Sequence, residues 1–484
     1  MSDIGKMETR NLVGGEWIAA AGGATLEVTN PATDETIASV PMGGKNEARA
    51  AIEAAAAAFP DWSARPAAER AAPLRKLAAL MGTHVERLAR LLTLEQGKPL
   101  AEARGEIAYA ASFLDWAAEE GKRLYGQIVP ASHQNKRILV LRQPVGVTAC
   151  ITPWNFPAAM ITRKLGPALA SGCTMVVKPA EQTPLSALAI AELAVEAGLP
   201  KGVMNVITGD PVAIGKEIFE NPAVKKVSFT GSTQVGQKLM AMAATNVTRL
   251  SLELGGHAPF LVFEDADVDA AVAGALAAKY RNAGQTCICA NRFFVHAKVY
   301  EAFATKLAAG VGAMKVGYGL DDGVNVGPLI DDAAVDKMQA HVADALDRGG
   351  KLRSGGKLAD LGKGFTKRFY QPTIIDGLTP EMLCSRDETF GPLSPIAKFE
   401  TEDEAIALAN ASIYGLAAYF YTRDAGRLFR VAERLEYGIV GANDGGPSTA
   451  QAPFGGVKQS GFGREGGHWV MNEYVNVKYV SVGI

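Results

Sequence analysis

Apolar positions in the first part of the chain recur at helical spacing. AIEAAAAAFPDW, from Ala51, and the span from Ala67 to about Gln96 are rich in Ala, Leu, Arg and Glu, and they predict helices. From Lys136 the pattern changes. RILVLRQPVGVTACITPW reads as strand, and short β-branched runs then alternate with helical stretches. The order is TMVVKPA, a helix through ALAIAELAVEAG, VMNVITG, a helical piece, KKVSFTGS and a helix through KLMAMAA. Buried strands alternating with helices predict an α/β fold with a doubly wound parallel sheet, which binds ligands at the carboxyl ends of its strands. TRLSLELGG and APFLVFEDAD extend the alternation into what reads as a second α/β unit. There DADVDAAVAGALAAKY is an Asp-capped helix with Val268, Val272 and Leu276 on one face. The tail, YVNVKYVSVGI, alternates like a strand without a local partner, so a distant ribbon or another subunit should pair with it.

Composition narrows the class. A chain of 484 residues suggests about three domain-sized units, and 48% hydrophobic with 21% charged residues supplies an ordinary globular core. A formal charge of −2 gives no basis for a nucleic-acid or membrane partner. MSDIGKMETRNLVGGEW has no apolar signal region, and no apolar run reaches membrane-spanning length. Cys150, Cys173, Cys287, Cys289 and Cys384 are odd in number and mostly isolated, unlike a secreted disulfide framework, so a cytoplasmic location is expected. No two of the six histidines sit at metal-ligand spacing, and no metal site is expected.

Four stretches can carry chemistry. FTGSTQVGQK follows a strand and opens a helix, where Gly231 and Gly236 allow a turn that meets a phosphate or merely packs; it is neither GxGxxG nor a P-loop. VVKPAEQTP places Lys178 and Glu181 just past a strand, where a carboxylate can accept from a ribose and repel a 2′-phosphate. ITPWNFP is a proline-bracketed turn expected to expose Trp154 and Asn155, the latter a fixed amide suited to an oxyanion. LELGG sets Glu253 before a Gly-Gly pair, a candidate general base. NAGQTCICANR then pairs Cys287 with Cys289. Metal ligation, a redox pair, a nucleophile with a neighbour and packing are the alternatives, and an expected helix start at Cys287 would lower its thiol pKa.

These motifs, followed by DETFGP and PFGGVKQSGFGREGG, are ordered and spaced as in the aldehyde dehydrogenase superfamily, which the chain resembles from about Trp17 to the tail. The resemblance implies Cys287 as nucleophile, Glu253 as base and Asn155 as oxyanion donor. It implies coenzyme contacts from Trp154, Lys178, Pro179, Ala180 and Glu181, from Gly231, Ser232, Thr233, Gln234, Val235 and Gly236, and from Glu388 and Phe390. The coenzyme is NAD, with NADP possible. The family fold has a Rossmann-like coenzyme domain, an α/β catalytic domain and a β-ribbon oligomerisation element. Mapped here, these are residues 1–252 (interrupted near 125–142 by the ribbon), 253–440, and a return over 441–484, in a homotetramer or homodimer.

Within the family the chain resembles succinate semialdehyde dehydrogenases. Arg163, Arg281 and Ser448 match that group's carboxylate-binding residues, and Cys289 its CxC. Two guanidinium groups beside an active site independently suit an anionic substrate. The implied reaction is oxidation of succinate semialdehyde through a cysteine thioester. Glutarate or oxoglutarate semialdehyde and CoA-acylating chemistry are the alternatives. A labile Cys287–Cys289 disulfide is the redox expectation.

Overall fold

The computed structural model describes residues 7–484. Its first sheet has eight strands, and the strand runs read from the sequence form its centre. Thr174–Lys178 is buried along its whole length and Val147–Ile151 along nearly all of it, which is why both read as continuous apolar runs rather than alternating ones. Val147–Ile151, Thr174–Lys178 and Met204–Val206 are laid down in one direction across the sheet. The chain then returns to the other side of Val147–Ile151 with Val224–Thr230 and Arg249–Glu253, all five strands being parallel. This order creates a switch point between Val147–Ile151 and Val224–Thr230, the place where such sheets take ligands. ITPWNFP and FTGSTQVG leave the sheet there.

The second sheet has seven strands in the order Lys351–Ser354, Thr373–Asp376, Leu393–Phe399, Ala290–His296, Ala258–Val262, Ala417–Tyr421, Ile439–Ala442, parallel except for the first. TRLSLE therefore departs from the expectation. Arg249–Glu253 joins the first sheet beside Val224–Thr230, because Leu252 packs with Val227, Phe229 and Leu239, and the chain crosses to the second sheet through the following glycines. Asp267 caps the helix Val268–Tyr280 as expected, its carboxylate accepting from Asp269 N and Ala270 N. That helix buries Ala271, Val272, Ala275 and Ala278, leaving Val268 and Leu276 at the margin of the core.

The long helix expected over 67–96 is two, Ala67–Thr83 and Val85–Gln96, with His84 (φ −101°, ψ 20°) at the break after the weak helix formers Gly82 and Thr83. Gly97, in the left-handed region, ends the second, and Leu100–Glu120 follows after Pro99. The tail finds its partner far away in sequence. Val475–Gly483 pairs antiparallel with Lys136–Pro144, and Gln127–Val129 adds a third strand. Among the described residues no helix is long and apolar enough to cross a membrane.

Candidate active site

Cys287 lies between the two sheets, in a turn before the strand Ala290–His296. Asn282, Ala283 and Gly284 precede it with φ of 53°, 55° and 76°. A left-handed alanine costs about 1–3 kcal/mol, a strain that persists only where surroundings over-determine it. The turn is met by Gly256, in the connection that leads from Glu253 into the neighbouring strand Ala258–Val262; a Cβ there would stand 2.1 Å from the Cys287 carbonyl oxygen, so only glycine lets the Glu253 motif approach this closely.

The expected helix start at Cys287 is absent, and with it the expected lowering of the thiol pKa. Burial pushes the thiol well above its ordinary range, the Glu253 carboxylate beside it adds to the rise, and the Arg163 guanidinium opposes it. Among the described residues the Cys287 backbone N–H has no partner. Cys289 is buried, and its thiol donates to the Lys279 carbonyl at 3.2 Å. A disulfide to Cys287 would require the turn to release it.

Glu253 ends its strand inside the molecule, 3% exposed. Thr230 Oγ1 donates to Glu253 Oε2 at 3.1 Å, while Oε1 has no protein partner. Lys164 Nζ donates to Thr230 Oγ1 and to Glu465 Oε1, both at 2.6 Å. Arg163 Nη2 lies 2.6 Å from Glu465 Oε2 and 3.8 Å from Glu253 Oε2, and its guanidinium stacks over Phe454. Burial alone would raise the Glu465 carboxyl, but Lys164 and Arg163 outweigh it and hold it below the usual carboxylate range. Thr230, Lys164 and Glu465 were not singled out by sequence; Lys164 adjoins Arg163 in ITRKLG, and Glu465 sits in the glycine-rich GREGG.

Asn155 is 2% exposed, contrary to the expectation of an exposed turn, because the helix Ala159–Ser171 carries the turn inward. Its amide donates to the Gln285 carbonyl at 3.1 Å, two residues before Cys287. One further N–H of that amide is unspent.

A helix N-terminus lies at the switch point. Ser232 caps the helix Thr233–Ala243 by accepting from Val235 N, and the N–H groups of Thr233 and Gln234 have no intrahelical acceptor. Packing alone accounts for the glycines: a Cβ at Gly231 would meet the Phe229 ring at 2.4 Å, and one at Gly236 would meet Leu254 at 2.5 Å. The free amides, together with the exposed Val235, are what suit a phosphate-bearing ligand here. Lys178, Pro179 and Ala180 are buried at the neighbouring strand end, and Lys178 is ion-paired with the half-buried Glu181. Burial brings the Lys178 ammonium down to about 8. On the far side, Phe390 holds φ 56°, and its ring meets Trp154 edge-on at 5.6 Å. A bulky residue in that region marks a constrained site. Glu388 Oε1 accepts from Gly256 N at 2.9 Å, yet burial pushes its carboxyl up to about 7.

A cavity opens beside Cys287, lined by Tyr109, Phe156, Met160, Arg163, Arg281, Ser448 and Phe454 among others. The two arginines differ. Arg163 is committed to Glu465, whereas the Arg281 guanidinium is exposed, lies over Phe156 and makes no hydrogen bond or ion pair among the described residues. Tyr109 Oη and Ser448 Oγ are hydrogen-bonded to each other across the wall. Two paired hydroxyls spend one proton, so one remains to be donated. Sequence reading reached Ser448 but not Tyr109, Phe156 or Phe454.

The model of the aldehyde dehydrogenase family matches residues 17–480. The succinate-semialdehyde dehydrogenase (NADP(+)) GabD of Escherichia coli strain K12 is 55% identical over 484 residues, covering 100% of each chain. The glutarate-semialdehyde dehydrogenase of Pseudomonas aeruginosa is 56% identical over 471 residues, 97% of each. A crystal structure of succinate-semialdehyde dehydrogenase from Burkholderia pseudomallei superposes with a TM-score of 0.97 at 57% identity, covering 99% of this chain and 98% of that one.

Proposed function

The chain belongs to the aldehyde dehydrogenase family, and from that premise we propose that it oxidises succinate semialdehyde to succinate with NAD(P), through a thioester on Cys287. The observation that carries the substrate is Arg281, a guanidinium without an anionic partner on the wall of the cavity that holds the nucleophile. Glutarate semialdehyde, one carbon longer, is a second reading, supported by relatives at similar identity. Steady-state kinetics on a panel of semialdehydes with both coenzymes tests the choice, and the reading fails if neutral aldehydes are preferred.

In this reading the free amides of Thr233 and Gln234 would hold the coenzyme's diphosphate, and Lys178 and Glu181 its adenosine ribose. Glu388 would hold the second ribose, and Trp154 and Phe390 the nicotinamide. When bound it accepts the hydride. Cys287 gives its proton to solvent and, as the thiolate, attacks the aldehyde carbon. The oxyanion that develops is met by the unspent Asn155 N–H and the free Cys287 N–H, donors fixed before charge appears. Glu253, its Oε1 without a protein partner, then takes a proton from the water that opens the thioester, while Thr230 holds its other oxygen. Passing the acyl group to CoA instead would need no such base. Arg163 and Lys164, paired with Glu465, fix the charge around Glu253 rather than the substrate.

This division gives a separable prediction. Arg281→Ala should raise KM for succinate semialdehyde roughly tenfold or more, since a hydrogen bond to a charged group is worth about 1.5–3 kcal/mol. KM for butanal should hardly move. Arg163→Ala should lower kcat on both substrates, and equal KM losses for both variants on both aldehydes would dissolve the distinction.

Glu388 gives another. Its carboxyl ionises near 7, so below that pH it is protonated and loses acceptor strength toward a ribose hydroxyl. Coenzyme KM should fall as pH rises through about 7 and then level off. Glu388→Gln should remove this step; a step that survives belongs to another group.

We further assign the three-stranded ribbon to assembly of a homodimer or homotetramer. Its outer residues Ile128, Val477 and Tyr479 are 80%, 67% and 63% exposed, an apolar face that supports burial against another copy. Five free, buried cysteines suit a reducing cytoplasm. On this reading we keep the divisions at 252/253 and 440/441 as a proposal, with part of the ribbon inserted near 125–142.

A further inference from the structure

Beneath the Asn155 turn lies a pair of buried charges that the chemistry above does not use. Lys98 and Glu106 are 1% and 3% exposed. Lys98 Nζ donates to Glu106 Oε2 at 2.6 Å and to the Asn155 carbonyl at 2.7 Å, and sits 3.6 Å from the centre of the Phe156 ring. Glu106 Oε1 accepts from Ala158 N at 3.0 Å and Ala159 N at 3.3 Å. The helix Ala159–Ser171, which has no side-chain cap of its own, is thus capped from the helix Leu100–Glu120. The Asn155 carbonyl also accepts from Asn282 Nδ2 at 3.0 Å, and the same Nδ2 lies 3.2 Å from the Gln285 carbonyl that takes the Asn155 amide. Glu102, on the same helix as Glu106, accepts from Asn282 N at 2.7 Å.

Stability does not account for such a pair. Two charges taken out of water lose hydration that their attraction barely restores, and apolar residues of similar volume often serve as well or better. What the pair does provide is direction. The peptide of Asn155 is gripped through its carbonyl by two donors, one anchored in the helix Leu100–Glu120 and the other in the turn that carries Cys287.

We propose that Lys98 and Glu106 are positioning residues for the reaction, which with Asn282 hold the Asn155 peptide so that its side-chain amide stays in register with Cys287. The proposal rests on Asn155 being the oxyanion donor. An amide that must meet a charge at hydrogen-bond distance loses most of its value when displaced by a fraction of an ångström, and remote misplacements cost up to about a hundredfold. Neither Lys98 nor Glu106 lines the cavity beside Cys287.

The test is a double-mutant cycle read in the pre-steady-state burst of reduced coenzyme. Lys98→Met with Glu106→Gln removes both charges together and keeps an acceptor for Ala158 and Ala159. Alone, this pair of substitutions should slow the burst roughly tenfold to a hundredfold at unchanged coenzyme Kd. Added to Asn155→Ala, it should cost less than about twofold more, because the amide it positions is already gone. The same loss in both backgrounds, or none in either, overturns the proposal, since a merely structural role would multiply through. Asn155→Ala should itself slow the burst about 10²–10³-fold. A burst unaffected by that change overturns the oxyanion reading, and the positioning role with it. Should the neutral pair not fold, Asn282→Gly preserves the positive φ, deletes one donor to the Asn155 carbonyl and should show the same non-additivity.

Discussion

Cys287→Ser should abolish aldehyde oxidation, by about 10³-fold or more, while the protein still binds coenzyme. The thiol is held protonated by burial and by the Glu253 carboxylate, and a serine hydroxyl in the same place would be harder still to ionise. Thr230 occupies Glu253 Oε2, and no histidine lines the cavity to serve as a strong base for a hydroxyl. Sulfur tolerates this environment because its thiolate is intrinsically nucleophilic even when rarely formed. The helix Thr233–Ala243 and the strand end at Lys178, where we place the coenzyme, lie elsewhere, and the substitution only exchanges one buried sulfur for an oxygen. Reduced-coenzyme production from succinate semialdehyde, beside coenzyme Kd by calorimetry, checks both halves. Turnover above about one per cent of wild type would show that Cys287 is not the attacking group.

The residues that stand at strand ends were legible in the sequence, since a short apolar run announces the strand and the residues just past it announce the edge. Asn155, Lys178 and Glu253 were reached in this way, whereas Ser232 came only through the family resemblance. So was the tail strand's need for a remote partner, because YVNVKYVSVGI alternates with nothing nearby to pair it; that Lys136–Pro144 is the partner depends on a long-range register that no local pattern encodes. The conformation at Cys287 was not legible. Helix-like context suggested a helix start, but Asn282 and Ala283 are turned left-handed by contacts with distant segments, and alanine carries no signal for positive φ. The thiol pKa was misjudged for the same reason.

The helix Leu100–Glu120 hid the remainder. Lys98, Glu102, Glu106 and Tyr109 recur at intervals of four, four and three, so they share one side of the segment, and charges there look like a solvated face. The opposite is true of Lys98 and Glu106, which are buried against Asn155 and Phe156. Nothing in composition separates a buried polar stripe from an exposed one. Only the approach of the helix Ala159–Ser171 decides it, through the Glu106 contacts with Ala158 and Ala159. Likewise Arg163 and Arg281 read as equivalent in sequence, and what distinguishes them is Glu465, three hundred positions away.

Glu253→Gln should separate the two halves of the reaction. The Glu253 charge is one cause of the raised thiol pKa, so its removal lowers that pKa and increases the thiolate fraction at a given pH. Attack and hydride transfer should therefore persist, and one equivalent of reduced coenzyme per active site should appear in a burst. Opening the thioester is different. Water is a poor nucleophile, the base that would take its proton is gone, and glutamine offers an amide with no useful basicity. General-base catalysis contributes about 10²–10⁴-fold, so steady-state turnover should fall by that order while the burst amplitude stays near one per site. The acylated enzyme should accumulate and be detectable by mass as the unreacted variant plus the succinyl group. Hydroxylamine, which opens thioesters without a base, should restore turnover in part. Full steady-state activity in Glu253→Gln would remove water activation from its role, whereas loss of the burst itself would move Glu253 to the attack step, as the group that takes the proton from Cys287.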